Sequence, residues 1–138
     1  MKTFFDSSAF AKRYVDEPGS DKVEAICGEA TDLGLSVICA PEIISALNRR
    51  LREKILSRNQ YEQAKTRLSV EVKDATIVYL TPPVIADCIR ILESSPVRAM
   101  DALHVACALH WGAELFISAD GRQITAAKKA GLRTRLAE

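Results

Sequence analysis

Short runs of strand-forming residues, none longer than six, alternate along this chain with stretches whose apolar residues recur at helical spacing. The runs are Lys2 to Phe5, Leu35 to Cys39, Ala75 to Leu80, Leu115 to Ser118 and Arg133 to Leu136. Short apolar strands joined by helical crossovers predict an α/β fold, a parallel sheet covered on both faces. The order reads strand and two helices, three times over, and then strand, helix, strand. No internal repeat or linker interrupts it, so residues 1–138 read as a single domain.

Punctuation places the helices. Ser20 is the expected N-cap of a helix with Val23, Ile26 and Ala30 on its apolar face, closed by Gly34. Pro41 suits the first position of the next helix, whose stripe is Ile43, Ile44, Leu47, Leu51 and Ile55. Asn59 is the expected cap of a helix carrying Tyr61, Ala64, Leu68 and Val72. Pro82-Pro83 opens a stripe of Val84, Ile85, Cys88, Ile89 and Leu92. Ser95-Pro96 reads as cap and first turn of the helix containing RAMDALHVACAL, residues 98–109.

Composition excludes several classes. At 48% apolar and 27% charged, with five prolines, the chain reads as globular rather than disordered. Its apolar stretches break well before the ~18 residues of a membrane span. The start, MKTFFDSSAF, turns charged too early for a signal peptide, so a cytoplasmic protein is expected. The four cysteines (Cys27, Cys39, Cys88, Cys107) form no C-x-x-C pair and read as buried small hydrophobes. His104 and His110 are six apart and face different sides of a helix, which is no metal pair.

Four acids carry the chemistry. In a parallel sheet the working site lies beyond the carboxyl ends of the strands. Asp6 follows strand one, Glu42 opens the helix after strand two, and Asp120 follows strand four. Asp101 comes from the helix leading back to strand four, so its early residues reach the same edge. Each acid alone is explained by a cap, a helix dipole or a turn. Asp101 fits that explanation least, since a cap at Ser95 leaves it about six residues into an apolar helix. Its face also carries Arg98 and His104 at three-residue spacings. Converging carboxylates repel unless a cation sits between them, and a hard oxygen set suits Mg²⁺ or Mn²⁺. Setting these four acids aside leaves the chain net basic. Arg49, Arg50 and Arg52 then form a candidate phosphate track, against the plainer reading of a solvated helix face.

The pieces assembled so far resemble a known family. FFDSSAFAKRYVDEPGSD, PEIISALNRR, RAMDALHVACAL and LFISADGRQITAAKKAGL, in this order and spacing, are similar to the PIN-domain ribonucleases, specifically the VapC-type toxins of toxin–antitoxin pairs. The resemblance covers essentially the whole chain. It implies a three-layer α/β/α sandwich with a five-stranded parallel sheet and a Mg²⁺-dependent endoribonuclease, with Mn²⁺ as substitute. Its acids match Asp6, Glu42, Asp101 and Asp120, with Asp6 and Asp101 as principal metal ligands. Ser8 (or Ser7) and Ser118 match supporting polar residues. A homodimer and a protein antitoxin are the implied partners, RNA the implied substrate, and no membrane is involved. One departure is that G-R-Q follows Asp120 where many relatives offer a further acid.

Two other readings use similar residues. A receiver-like phosphoacceptor needs neighbouring acids near strand one and a lysine after the last strand acid. A haloacid-type phosphatase needs an acid where Ser8 stands. A PIN-fold RNA-binding or interaction module without catalysis would not need all four acids.

Overall fold

In the computed structural model, which describes residues 1–138, five strands form one sheet: β1 (Lys2–Phe5), β2 (Asp32–Ser36), β3 (Thr76–Val78), β4 (Leu115–Ser118) and β5 (Thr134–Leu136). The spatial order is β3-β2-β1-β4-β5, and every pairing is parallel. The helices are α1 (Ser7–Phe10), α2 (Ser20–Glu29), α3 (Cys39–Arg52), α4 (Arg58–Asp74), α5 (Pro82–Ser94), α6 (Ala99–Trp111) and α7 (Gly121–Lys129), with a 3-10 turn at Ala11–Arg13.

The strand pleat sorts the cores. Phe5, Leu35 and Ile117 point to one face and pack with residues of α1 to α4, such as Phe10, Val23, Ile43 and Leu68. Phe4 and Phe116 point to the other face and pack with α5, α6 and α7 through Val84, Val105 and Ala127. Phe4 and Phe116 stack at 5.9 Å across neighbouring strands. Each such fully buried side chain contributes about 1.5–3 kcal/mol. The result is the three-layer sandwich with a five-stranded parallel sheet.

Several boundaries differ from the sequence reading. The second strand begins at Asp32, and Cys39 already belongs to α3. Pro41 is thus the third helical residue, a position whose N–H has no helical acceptor and is not missed. Gly34 does not close a helix; it sits in β2, where a Cβ would lie 2.5 Å from the Trp111 ring. The cap of α2 is Gly19 (φ +96°), while the Ser20 hydroxyl accepts from the Glu17 N–H at 3.0 Å. Ser57, not Asn59, caps α4, with a reciprocal bond from its backbone to Gln60. Pro96 drives Ser95 into extended backbone, so the chain stays open until Arg98 and α6 starts at Ala99. Asp101 therefore stands in the first turn of α6, where the helix dipole favours a carboxylate. Its position needs no cation to explain it.

Cys39, Cys88 and Cys107 are buried and Cys27 is partly exposed, all as free thiols. Burial pushes the Cys27 thiol up to about 11. No helix is long and apolar enough to cross a membrane.

Candidate active site

The chain leaves β1 toward β2 and β3, then crosses back to β4 on the other side of β1. That reversal opens a crevice beyond the carboxyl ends of β1 and β4. A pocket of about 130 Å³ lies there, lined by Asp6, Glu42, Asp101 and Asp120 together with Ser7, Ser8, His104 and Gln123. No apolar side chain lines it.

Asp6 is the fixed point. Its backbone N–H extends the β1–β4 ladder to the Ile117 carbonyl at 3.0 Å. Its carboxylate, 1% exposed, caps α1 by accepting from the Ala9 N–H at 2.9 Å. Ser118, the last residue of β4, donates to Oδ2 at 2.6 Å, and Ser8 donates to the same carboxylate at 2.8–2.9 Å. The Ser8 hydroxyl in turn accepts from the Ala119 N–H at 3.0 Å. Burial pushes the Asp6 carboxyl above its ordinary value, and the opposing pull of His104, Ser118, Ala9 and Ser8 does not cancel it.

Glu42 sits in the first turn of α3 and reaches across to α6. Its Oε1 accepts from Ser7 Oγ at 2.6 Å and pairs with His104 Nε2 at 2.6 Å. Burial alone would raise the Glu42 carboxyl, but the bonds from His104 and Ser7 hold it below its ordinary value. This pairing assigns the proton to His104 Nε2, and Nδ1 is left buried without a partner.

Asp101 and Asp120 complete the ring. Asp101 Oδ1 accepts from Gln123 Nε2 at 3.1 Å, and Arg98 makes no bond to it. Gln123 is 2% exposed, and its Oε1 is the other buried polar atom without a partner. Asp120 caps α7, accepting from the Arg122 N–H at 2.9 Å. All four acids thus stand at helix N-termini, and the positive ends of α3, α6 and α7 offset their mutual repulsion.

The donor chemistry of this pocket, hard carboxylate oxygens with hydroxyls, fits Mg²⁺ or Mn²⁺. The carboxylates do not form a ready-made ligand shell: no three Asp, Glu, His or Cys side chains close around a common point. Arg49, Arg50 and Arg52 lie elsewhere, in the last turn of α3. At 1.5 Å per residue, Arg49 is about 10 Å along the helix from Glu42. Arg50 is already paired with Glu17 at 3.3 Å.

Sequence reasoning did not assign His104 and Gln123 to the site. The available signal was a polar residue on an otherwise buried helix face: His104 beside Val105 and Ala108, and Gln123 beside Ile124 and Ala127.

The family model of the PIN domain matches residues 3–129. No curated protein matches the chain by sequence. Among solved structures, VapC20 of Mycobacterium tuberculosis, described as a sarcin-ricin loop cleaving toxin, superposes with a TM-score of 0.70 at 15% identity, covering 94% of this chain and 95% of its own. A toxin–antitoxin complex from Klebsiella pneumoniae gives 0.71 at 12% identity over 99% and 98%. FitAcB from Neisseria gonorrhoeae gives 0.69 at 16% identity over 96% and 95%. At these identities the likeness establishes a shared fold.

Proposed function

The chain belongs to the PIN domain family, and from that premise we propose that it is a metal-dependent endoribonuclease, the toxin of a toxin–antitoxin pair. The observation that carries the reading is the single polar pocket lined by all four acids at the carboxyl edge of the sheet. Asp6 and Asp101 are the proposed principal ligands of Mg²⁺, with Glu42 and Asp120 completing the set. Mn²⁺ is expected to substitute. When bound, a divalent ion neutralises phosphate charge and activates water for in-line attack.

The protein's own residues do the positioning. Ser118 and Ser8 fix the Asp6 carboxylate, Ser7 and His104 fix Glu42, and Gln123 fixes Asp101. Attack by water leaves a 5′-phosphate and a 3′-hydroxyl. The pocket holds one histidine and no second one to run metal-free chemistry through the 2′-hydroxyl. Arg49, Arg50 and Arg52 are proposed to track the RNA backbone farther along α3.

The partners of this reading are RNA, a protein antitoxin and a second copy of the chain, in the cytoplasm. A cationic antitoxin side chain would find charge-assisted bonds among the four acids. Ile85, Ile89 and Leu92 stay exposed along one side of α5, apolar surface that supports the homodimer reading.

The test is cleavage of single-stranded RNA with Mg²⁺, with EDTA, and by Asp101→Asn. EDTA and Asp101→Asn are each expected to lower cleavage by at least about a hundredfold, an order set by loss of metal chemistry. Products ending in a 2′,3′-cyclic phosphate, or an active Asp101→Asn protein, would overturn the reading.

A further inference from the structure

A second depression, of about 470 Å³, opens beside the acid pocket and shares Asp101 and Asp120 with it. Its remaining walls are Pro96, Val97, Arg98 and Arg122. Arg98 is the N-cap residue of α6, and Arg122 is the second residue of α7. Both are exposed.

Folding gives neither arginine a reason to be there. A cation at a helix N-terminus opposes the helix dipole and costs a few tenths of a kcal/mol. Arg13, Arg50, Arg58, Arg67 and Arg90 each pair with a carboxylate on this molecule. Arg98 and Arg122 pair with none, as do Arg49, Arg52, Arg133 and Arg135, but these two share a depression with two of the site's acids. Pro96 stiffens the approach to Arg98, so that this guanidinium hangs from an anchored backbone.

Two unpaired guanidinium groups beside a ring of acids have one evident use. Their chemistry suits an anion beside the acids rather than on them. A guanidinium presents a planar fork that matches the oxygens of a phosphodiester. The depression has no aromatic ring on which a base would stack, so the backbone rather than a base is the recognised part.

We propose that Arg98 and Arg122 clamp a phosphodiester next to the scissile one, so that the RNA strand reaches the acid pocket between the N-termini of α6 and α7. The proposal rests on the nuclease reading and adds a strand path to it. Both arginines are positioning residues: they set where the strand lies and leave the bond-breaking step to the acid pocket.

The test uses the full chain and a single-stranded oligoribonucleotide that the wild type cuts at one place. Neutral methylphosphonate linkages replace, one at a time, the phosphates flanking the cut. For the wild type, one such linkage is expected to raise KM about tenfold while kcat changes less than about threefold, the size of one lost charged contact. For the Arg98→Gln/Arg122→Gln double variant, KM is expected to rise similarly with unmodified RNA, and the neutral linkage then adds nothing. The double variant's affinity should also lose about 0.7 of salt slope per contact, while Arg98→Lys/Arg122→Lys recovers part of the KM. If the wild type cuts RNA and the glutamine variant keeps its KM, or stays equally sensitive to the neutral linkage, the clamp is overturned and the nuclease reading stands. A fall in kcat at constant KM also overturns the clamp. A wild type that cuts no RNA with Mg²⁺ overturns both.

Discussion

At the scale of single residues, the strain of the site is concentrated on Asp6. Among the four acids it is the one held fully inside the protein, and burial lifts its carboxyl above the ordinary value. An ionised group whose folded pKa is raised costs native stability at neutral pH. Asp6→Asn keeps an oxygen for the Ala9 N–H, and the Ser8 and Ser118 hydroxyls turn to accept from the new amide. In EDTA the variant is expected to be more stable than the wild type by about 0.5–2 kcal/mol. Mg²⁺ should raise the wild type's Tm and leave that of the variant nearly unchanged. Thermal melts of both proteins, with and without the ion, read this directly, and a variant that melts lower in EDTA contradicts it. The acids themselves were legible in the chain, because Asp6 and Asp120 follow predicted strands, Glu42 opens a helix, and Asp101 lies early in a helix that runs back to β4. Their partners were not. His104 meets Glu42 across 62 positions and Gln123 meets Asp101 across 22, and no local period encodes either pairing.

Elements come out right in kind and wrong at their ends, for identifiable reasons. Val37 and Ile38 look like strand residues by propensity, yet the sheet ends at Ser36 and they form the turn into α3. Gly34 looked like a helix terminator because glycine commonly serves as one. Here it is required by contact with α6, since the Trp111 ring occupies the space of a Cβ. Gly34→Ala is therefore expected to cost about 1–3 kcal/mol in denaturant unfolding, the range of an overpacked core. Trp111→Leu should recover most of that cost when combined with it. Additive losses in the double variant would mean that the ring is not the obstacle. The start of α4 offers a milder case: Ser57→Ala removes one half of a reciprocal cap and should cost about 1 kcal/mol. A change within error at Ser57 would place the helix start under the control of packing by Tyr61 and Leu68.

For the molecule as a whole, the sheet order decides how the parts come together. The layered α/β plan was readable from alternating elements, but the order β3-β2-β1-β4-β5 is not written in any local pattern. The central strand pairs with β4 across more than a hundred residues, with Thr3 beside Leu115. Closing such distant contacts is slow, so stopped-flow refolding is expected in milliseconds or longer rather than microseconds. A microsecond phase carrying the full amplitude would contradict this. The same wiring bears on biosynthesis. Asp6 is synthesised 112 residues before Ser118, which holds its carboxylate, and well before Asp101, Asp120 and Gln123. A nascent or truncated chain ending before α6 has Asp6 and Glu42 but none of Asp101, His104, Asp120 and Gln123 to close the pocket around them. For a protein proposed to cut the RNA of the cell that makes it, the order in which its residues are made is itself the safety catch.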